Sequence, residues 1–393
     1  MSDWLLAVHC GAGRYGSSHE AAYLSLLRSA LESAHQVIAS SRSAPTATQI
    51  AVHLLQCFER SSLTNAGLGS NLTERGQVEC EASVVCGETH LVSCCGAVRG
   101  VKDPSALALK LLEQNQDCDT NSTFAFGRQP PLVVVGEHAR QLARDFGLET
   151  ATEEEKEVEN YQVIDKTREH WNKWYRRFQA KTEETKDEEE FLDTVGAVCM
   201  DPMGNVAAAL SSGGVAYKVP GRLGLAGCPR MGCNASNAKS ASKTRKRKRS
   251  GQNKVENAFA IACTGRGEHF IRSNFVGNLT RRLKTSTDLD RGLRKVFHET
   301  RTENGGVGIE GGVLAFLSDA TEGDKSRRIQ LGAAFTTPCM GVGYMQCHAS
   351  AEAKAKVQIL RQPGTRTSIS DTDKQELSIH VSFIQFPLPS HGI

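Results

Sequence analysis

The sequence predicts an α+β fold in which sheets pack on each other and helices cover the outside. Two observations carry this. Strand-like apolar runs come in groups, and helical periodicities come in pairs, so strand and helix do not alternate regularly as βαβ units would require. A chain of 393 residues is also long enough to bury a large core, as one big domain or two.

The elements follow in order. Trp4 to His9 reads as a buried strand running into the glycine turn Gly11-Ala12-Gly13. Glu20 to Ala39 and Thr48 to Arg60 have helical spacing, with Leu24, Leu27, Leu31 and Ala34 on one stripe and Ile50, Leu54, Leu55 and Phe58 on the other. A glycine-rich loop, Asn65 to Asn71, comes next. Val78 to Val85 and His90 to Val98 read as paired strands turning at Gly87, and Pro104 to Gln114 as a helix with proline in its first turn. Leu132 to Phe146 starts apolar and continues as a helix. Residues 150–193 are rich in Glu and Lys, yet Val158, Tyr161, Ile164, Trp171, Tyr175 and Phe178 recur at helical intervals. That predicts a docked amphipathic helix or helix pair, ending in a solvated acidic linker at Glu183 to Glu190.

A second strand group opens at Val195 to Met200 and Val206 to Ser211, joined by the turn sequence Asp201-Pro202-Met203-Gly204. Ala258 to Cys263 is a strand, Glu268 to Arg282 and Leu289 to Thr300 are helices, and Gly311 to Leu317, Ile329 to Thr336, Gly341 to Met345 and Leu377 to Phe386 are strands.

Composition narrows the function classes. Net charge is only +3, so the surface as a whole is no polyanion binder. The 13 cysteines have no regular metal spacing and read as reduced, mostly buried thiols of an intracellular protein, with no metal site, and the hydroxyl chemistry considered below needs no cofactor. Met1 to Cys10 lacks the basic start of a signal peptide, and no apolar run approaches the roughly 20 residues needed to span a bilayer. A soluble protein made in the cytosol is expected. The loop 237–256 holds a run of basic residues (Lys243, Arg245, Lys246, Arg247, Lys248, Arg249) that is too charged to bury. It reads as a nuclear import signal or a solvated loop. No groove-reading motif or interleaved aromatics accompany it, so specific DNA binding is not expected.

Candidate chemistry centres on Asp193-Thr194, which opens the apolar run Val195 to Val198 just after the charged segment. A cut between these two residues would leave a threonine hydroxyl beside its own free α-amine. A hydroxyl is a weak nucleophile, and an amine titrating near neutrality can take its proton. Three further stretches fit such a site. Asn65-Ala66-Gly67-Leu68-Gly69-Ser70 offers an amide donor on a tight backbone. Ser211-Ser212-Gly213-Gly214 ends a strand with paired hydroxyls, and Arg222 follows in a glycine-flanked turn where it can grip a carboxylate with two hydrogen bonds. Thr264-Gly265-Arg266-Gly267-Glu268 places a hydroxyl and glycines at a helix start.

Taken together and in this order, these motifs resemble the N-terminal nucleophile hydrolases of the plant-type asparaginase family, and within it the threonine aspartase (taspase) group. His9-Cys10-Gly11-Ala12-Gly13, Glu79-Cys80-Glu81-Ala82-Ser83, Gly204-Asn205-Val206-Ala207-Ala208-Ala209 and Pro220-Gly221-Arg222 extend the match. The resemblance implies an αββα sandwich made as a proenzyme and self-cleaved between Asp193 and Thr194. An α subunit (1–193, including the amphipathic segment 150–193) and a β subunit (194–393) would stay together and associate as αβ or α2β2. It implies Thr194 as nucleophile and base, Ser212 beside it, and Asn65, Thr264 and Gly265 lining the oxyanion and substrate pocket. Arg222 would hold the substrate carboxylate, and Gly267 would make a backbone contact.

Three departures favour the threonine aspartase branch. Asp193 stands where asparaginases of this group have glycine. Leu225 stands where they carry an aspartate that holds the free α-amine of asparagine. The segment before the cut is long. The expected function is therefore a self-processing endopeptidase that cuts nuclear regulatory proteins after aspartate, at Asp-Gly sites, reaching the nucleus from the cytoplasm through an import receptor. In that branch, however, the basic targeting residues precede the nucleophile, which the run at 243–249 does not. The rival expectations are an L-asparaginase or isoaspartyl peptidase, and a non-enzymatic nuclear binding protein on a degenerate scaffold.

Overall fold

A computed structural model describes residues 3–16, 18–116, 127–180, 194–239, 256–303, 305–319, 328–348, 353–363 and 379–387. Asp193, the import-signal candidates at 243–249 and the acidic linker at Glu183 to Glu190 lie outside the described residues.

The first sheet holds eight strands: β1 (Trp4–Gly13), β2 (Cys80–Cys86), β3 (Val92–Val98), β4 (Val133–Val135), β5 (Val195–Met200), β6 (Val206–Ser212), β11 (Cys339–Cys347) and β12 (Lys356–Arg361), in the order β12-β11-β1-β5-β6-β2-β3-β4. The second holds five: β7 (Cys233–Ser236), β8 (Ala258–Gly265), β9 (Gly311–Ser318), β10 (Arg328–Phe335) and β13 (His380–Pro387), in the order β13-β10-β9-β8-β7. All neighbours pair antiparallel except β3 with β4.

Two apolar layers follow from period-2 alternation along the strands. Leu5, Ala7, Val198, Met200, Ala208 and Leu210 face the second sheet and join Leu314 and Phe316. Trp4, Leu6, Val8, Val195, Ala197 and Cys199 face the other way, onto α1 (Glu20–Ser40), α2 (Ala47–Glu59) and α3 (Pro104–Gln116). Beyond the second sheet lie α8 (Phe275–Leu283) and α9 (Leu289–Glu303), which bury Phe275, Leu279, Leu293 and Phe297 in the first cluster. The layers are therefore helix, sheet, sheet, helix, as expected. β1 and β2 sit among β5, β6 and β11 in one sheet, so the two sides of the Asp193-Thr194 junction do not form separate domains.

Several local expectations change. Gly11 to Gly13 belongs to β1, whose register shifts between His9 and Ala12 to carry the glycines along the strand. The helix expected over Glu268 to Arg282 is two, α7 (Gly267–Arg272) and α8, broken where Asn274 takes a left-handed backbone (φ 48°). β7 and β12 are short strands that no apolar run announces. The charged segment is a helix pair, α5 (Glu155–Asn160) and α6 (Asp165–Ala180), with α4 (Gly136–Asp145) before it. Trp171, stacked on Tyr175 of the same helix, docks α6 by donating Nε1–H to the Thr73 carbonyl (2.8 Å) and meeting Tyr217. Phe178 also meets Tyr217 but stays 68% exposed, so the stripe is only partly buried. The twelve cysteines among the described residues are free thiols, ten of them buried. No helix among those residues is long and apolar enough to cross a membrane.

Candidate active site

Strand register builds the site. Thr194 immediately precedes β5, and alternation puts it on the face of Val198, between the two sheets. Val195 pairs with Ser211 on β6, which sets Thr194 beside Ser212, and Ser212 in turn pairs with Glu81 on β2. Thr194 Oγ1 donates to Ser212 Oγ at 3.1 Å, and Ser212 Oγ also accepts from the Gly214 N–H at 2.9 Å. Both hydroxyls are buried. They line a cavity with Asn65, Glu81, Gly214, Val215, Arg222, Leu225, Gly265 and Gly267.

Of the residues singled out in the sequence, six meet there: Thr194, Ser212, Asn65, Arg222, Gly265 and Gly267. Thr264 is fully buried on β8, where it pairs with Gly312 of β9, and is not among the residues that line this cavity. Asn65 is more committed than an oxyanion donor standing free. Its Nδ2 donates to the Gly214 carbonyl (2.7 Å), its Oδ1 accepts from the Asn71 N–H (2.8 Å), and its own carbonyl accepts from Gly213 N–H (2.8 Å). It clamps the turn after Ser212, and one of its two amide hydrogens remains for a ligand.

The glycines at 265 and 267 have a steric reason. Gly265 has φ +131°, and a Cβ there would stand 2.3 Å from the Glu310 carbonyl oxygen. At Gly267 a Cβ would stand 2.8 Å from the Leu225 nitrogen, so its absence lets α7 close on the Arg222 loop.

Three charged residues near the cavity carried no role in the sequence reading. Glu81 is buried, accepts from the Gly224 N–H (2.6 Å), and has its proton affinity raised by burial. Lys218 is buried and donates to the Gly213 carbonyl (2.8 Å) and the Glu79 carbonyl, fixing the turn from below. Glu268 takes Arg222 Nε–H on Oε1 (2.8 Å) and Nη2–H on Oε2 (2.7 Å), and this hydrogen bonding holds its carboxyl below the usual range. The available signal for Glu81 was a charge at an inward position of an otherwise apolar strand. Lys218 gave no comparable sign.

Two buried groups support the site from behind. Glu59 accepts from Ser211 Oγ (2.6 Å), Ser105 N–H (2.9 Å) and Ser105 Oγ (2.7 Å), and burial raises its pKa to about 7. His9 pairs with Gly196, where a Cβ would stand 2.2 Å from its Nε2; burial pushes its pKa down to about 3, so the ring is neutral. No cluster of metal-binding side chains occurs among the described residues.

A threonine hydroxyl at the head of a strand, between two stacked sheets clad by helices, defines the class of N-terminal nucleophile hydrolases. The profile of the family described as Asparaginase matches residues 2–245. The isoaspartyl peptidase of Salmonella typhimurium is 30% identical over 279 residues, covering 70% of this chain and 76% of that protein. The plant-type L-asparaginase of Pyrobaculum calidifontis is 33% identical over 236 residues, 59% of this chain and 70% of its own. The isoaspartyl peptidase/L-asparaginase of Xenopus laevis is 27% identical over 268 residues, 68% and 72% respectively. The chain belongs to this asparaginase family of hydrolases.

Proposed function

We propose that the chain cuts itself between Asp193 and Thr194 and then acts as a threonine endopeptidase on protein substrates, cleaving after aspartate. The observation that carries the reading is one cavity joining Thr194 and Arg222 across the apolar Leu225. Arg222 suits the carboxylate of an aspartyl acyl group. Leu225 offers no acceptor for a free ammonium, a loss that an acylated peptide nitrogen does not feel. The junction itself, an aspartyl peptide bond, is a first substrate of this kind.

Self-cleavage forms a bond from Thr194 Oγ to the Asp193 carbonyl carbon and breaks the peptide C–N bond. The hydroxyl proton passes to the leaving nitrogen. Water then hydrolyses the ester, freeing an Asp193 carboxylate, the Thr194 hydroxyl and its α-amine. In the mature enzyme that amine takes the Oγ proton as Oγ attacks a substrate carbonyl. Ser212 Oγ orients the nucleophile, and the remaining Asn65 amide hydrogen is a donor for the oxyanion. The proton goes to the departing amine, and water releases the acyl group. We further propose nuclear import through the basic run Lys243 to Arg249, by an import receptor, and pairing of processed αβ units.

A second reading, L-asparaginase or isoaspartyl peptidase, is favoured by Glu81. It is a buried carboxyl in the same cavity and offers a free ammonium the acceptor that Leu225 does not; several relatives carry these names. One experiment separates the readings. Intact mass of wild type and Thr194→Ala should give two fragments meeting at Thr194 in the first and one chain in the second. The processed protein should cut an Asp-Gly peptide in preference to L-asparagine or a β-aspartyl dipeptide. The opposite preference would establish the second reading, and an unbroken chain in active protein would overturn both.

A further inference from the structure

Arg222 is already engaged before any substrate arrives. Glu268 holds its Nε and Nη2 side-on at 2.8 and 2.7 Å. A guanidinium has five N–H donors in a planar fork, so a side-on pair leaves the end formed by Nη1 and the second Nη2 hydrogen. That end lies against Gly214 of the cavity wall and against Gly224 in its own loop. A Cβ at Gly214 would stand 3.1 Å from Nη1, and one at Gly224 only 2.5 Å away. Gly214 lines the Thr194 cavity and bonds both Ser212 and Asn65. The Arg222 side chain is 15% exposed and that of Glu268 is 51% exposed, so the glutamate grips from the rim while the arginine reaches inward.

Two carboxyls thus pin one loop. Glu81 takes the Gly224 N–H from below, and Glu268, brought close by Gly267, takes the guanidinium from outside. With Leu225 in the loop, no acid three residues after Arg222 steers it. We propose that Glu268 is the positioning residue for the substrate carboxylate: it fixes Arg222 so that the Nη1/Nη2 end faces the Thr194 cavity and takes an aspartyl carboxylate end-on. This deepens the function proposed above and rests on its assignment of Arg222. It makes Glu268 a specificity determinant that never touches the substrate.

The test uses processed wild type, Glu268→Gln and Glu268→Ala, with N-acetyl-L-aspartate as probe and N-acetyl-L-asparagine as its side-chain-neutral control, by titration calorimetry. Glu268→Ala should weaken the acid about tenfold, because an arginine free to swing loses its aim. Glu268→Gln, which keeps one acceptor for the fork, should recover part of that loss. Binding of N-acetyl-L-asparagine, which keeps only the α-carboxylate, should be weaker than that of the acid in wild type and alike in all three. Equal or tighter binding of the acid by Glu268→Ala would overturn the proposal and make Glu268 a competitor for Arg222. Equal weakening of acid and control, or no binding of the acid by wild type, would also overturn it. Processing into two fragments reports folding of each variant. If wild type binds the acid as described but cleaves no aspartyl substrate, the proposed activity fails while this inference stands.

Discussion

The two sides of the cavity are built differently. Thr194 and Ser212 stand on adjacent central strands, buried and set by the register of β5 on β6. Arg222 and Glu268 stand on a turn and on a six-residue helix, and Glu268 is half exposed. Backbone ladders position the hydroxyl proposed as nucleophile, whereas a rim ion pair positions the charge proposed for recognition. The difference teaches where change is tolerated. Altering the strand pair should disable chemistry, and altering the loop pair should redirect it.

Ser212→Ala breaks the rigid side and has the largest expected effect. Loss of its hydrogen bond to Thr194 should lower kcat on the order of 100-fold with KM little changed. Steady-state kinetics on an Asp-Gly peptide checks this. A rise in KM with kcat intact would mean that Ser212 belongs to recognition instead.

The rigid side also rests on a titrating group. Glu59 braces Ser211, next to Ser212, and its carboxyl titrates at about 7 rather than 4.5. Its raised pKa means that the folded state holds the proton more tightly than the unfolded chain. The stabilisation is fully present below pH 4.5 and is lost as pH rises through about 7. The loss should be on the order of 3 kcal/mol, seen as a falling Tm. Asp103, which adds to the upward shift, is itself held by Arg60 at 3.0 and 2.6 Å. Glu59→Gln imitates the protonated form and should flatten this dependence, leaving the variant more stable than wild type at pH 8. An unchanged Tm profile would remove Glu59 from the account.

The loop side is sharpened by Arg222→Lys. Lysine keeps the charge and loses the planar fork, so it cannot hold Glu268 and a substrate carboxylate on two edges at once. KM should rise about tenfold with kcat within a few-fold. A matching fall in kcat would mean that the guanidinium acts on the reacting centre, and the contrast between the two sides would fail.

The same contrast explains what was legible in the sequence. Strand positions were readable because burial imposes apolar runs such as Val195 to Met200, and a hydroxyl such as Thr194 or Ser212 at the end of a run stands out. The helices α1, α2 and α3 showed their stripes for the same reason. The loop side was legible in part. Arg222 is flagged by its glycines, but its partner Glu268 lies 46 residues on, and only the fold brings α7 back to it. Glu81 and Lys218 act through backbone groups of distant residues, and a sequence does not show which carbonyl or N–H a buried charge will meet. β7 was missed because four residues carry too little periodicity, and β12 because exposed Lys356, Gln358 and Arg361 break up any apolar run. The break between α7 and α8 was missed because Asn274 reads as an ordinary polar helix residue until its left-handed backbone is seen.

The smallest effect is expected farthest from the nucleophile, at α6. Trp171, stacked on Tyr175 of the same helix, holds it in place by one hydrogen bond to the Thr73 carbonyl and a ring contact with Tyr217. Tyr217 lies two residues beyond Val215 of the cavity wall and has a left-handed backbone (φ 55°), so its ring is presented by strained chain. Trp171 is only half-buried, and truncation should cost about 1–2 kcal/mol of stability through the lost stacking and hydrogen bond. If α6 merely covers the fold, Trp171→Ala should lower Tm by a few degrees and leave kcat and KM for the Asp-Gly peptide unchanged. A KM that rises for a long peptide but not for a short one would extend the loop side of the site onto α6 and enlarge the recognition surface at the expense of the sheet.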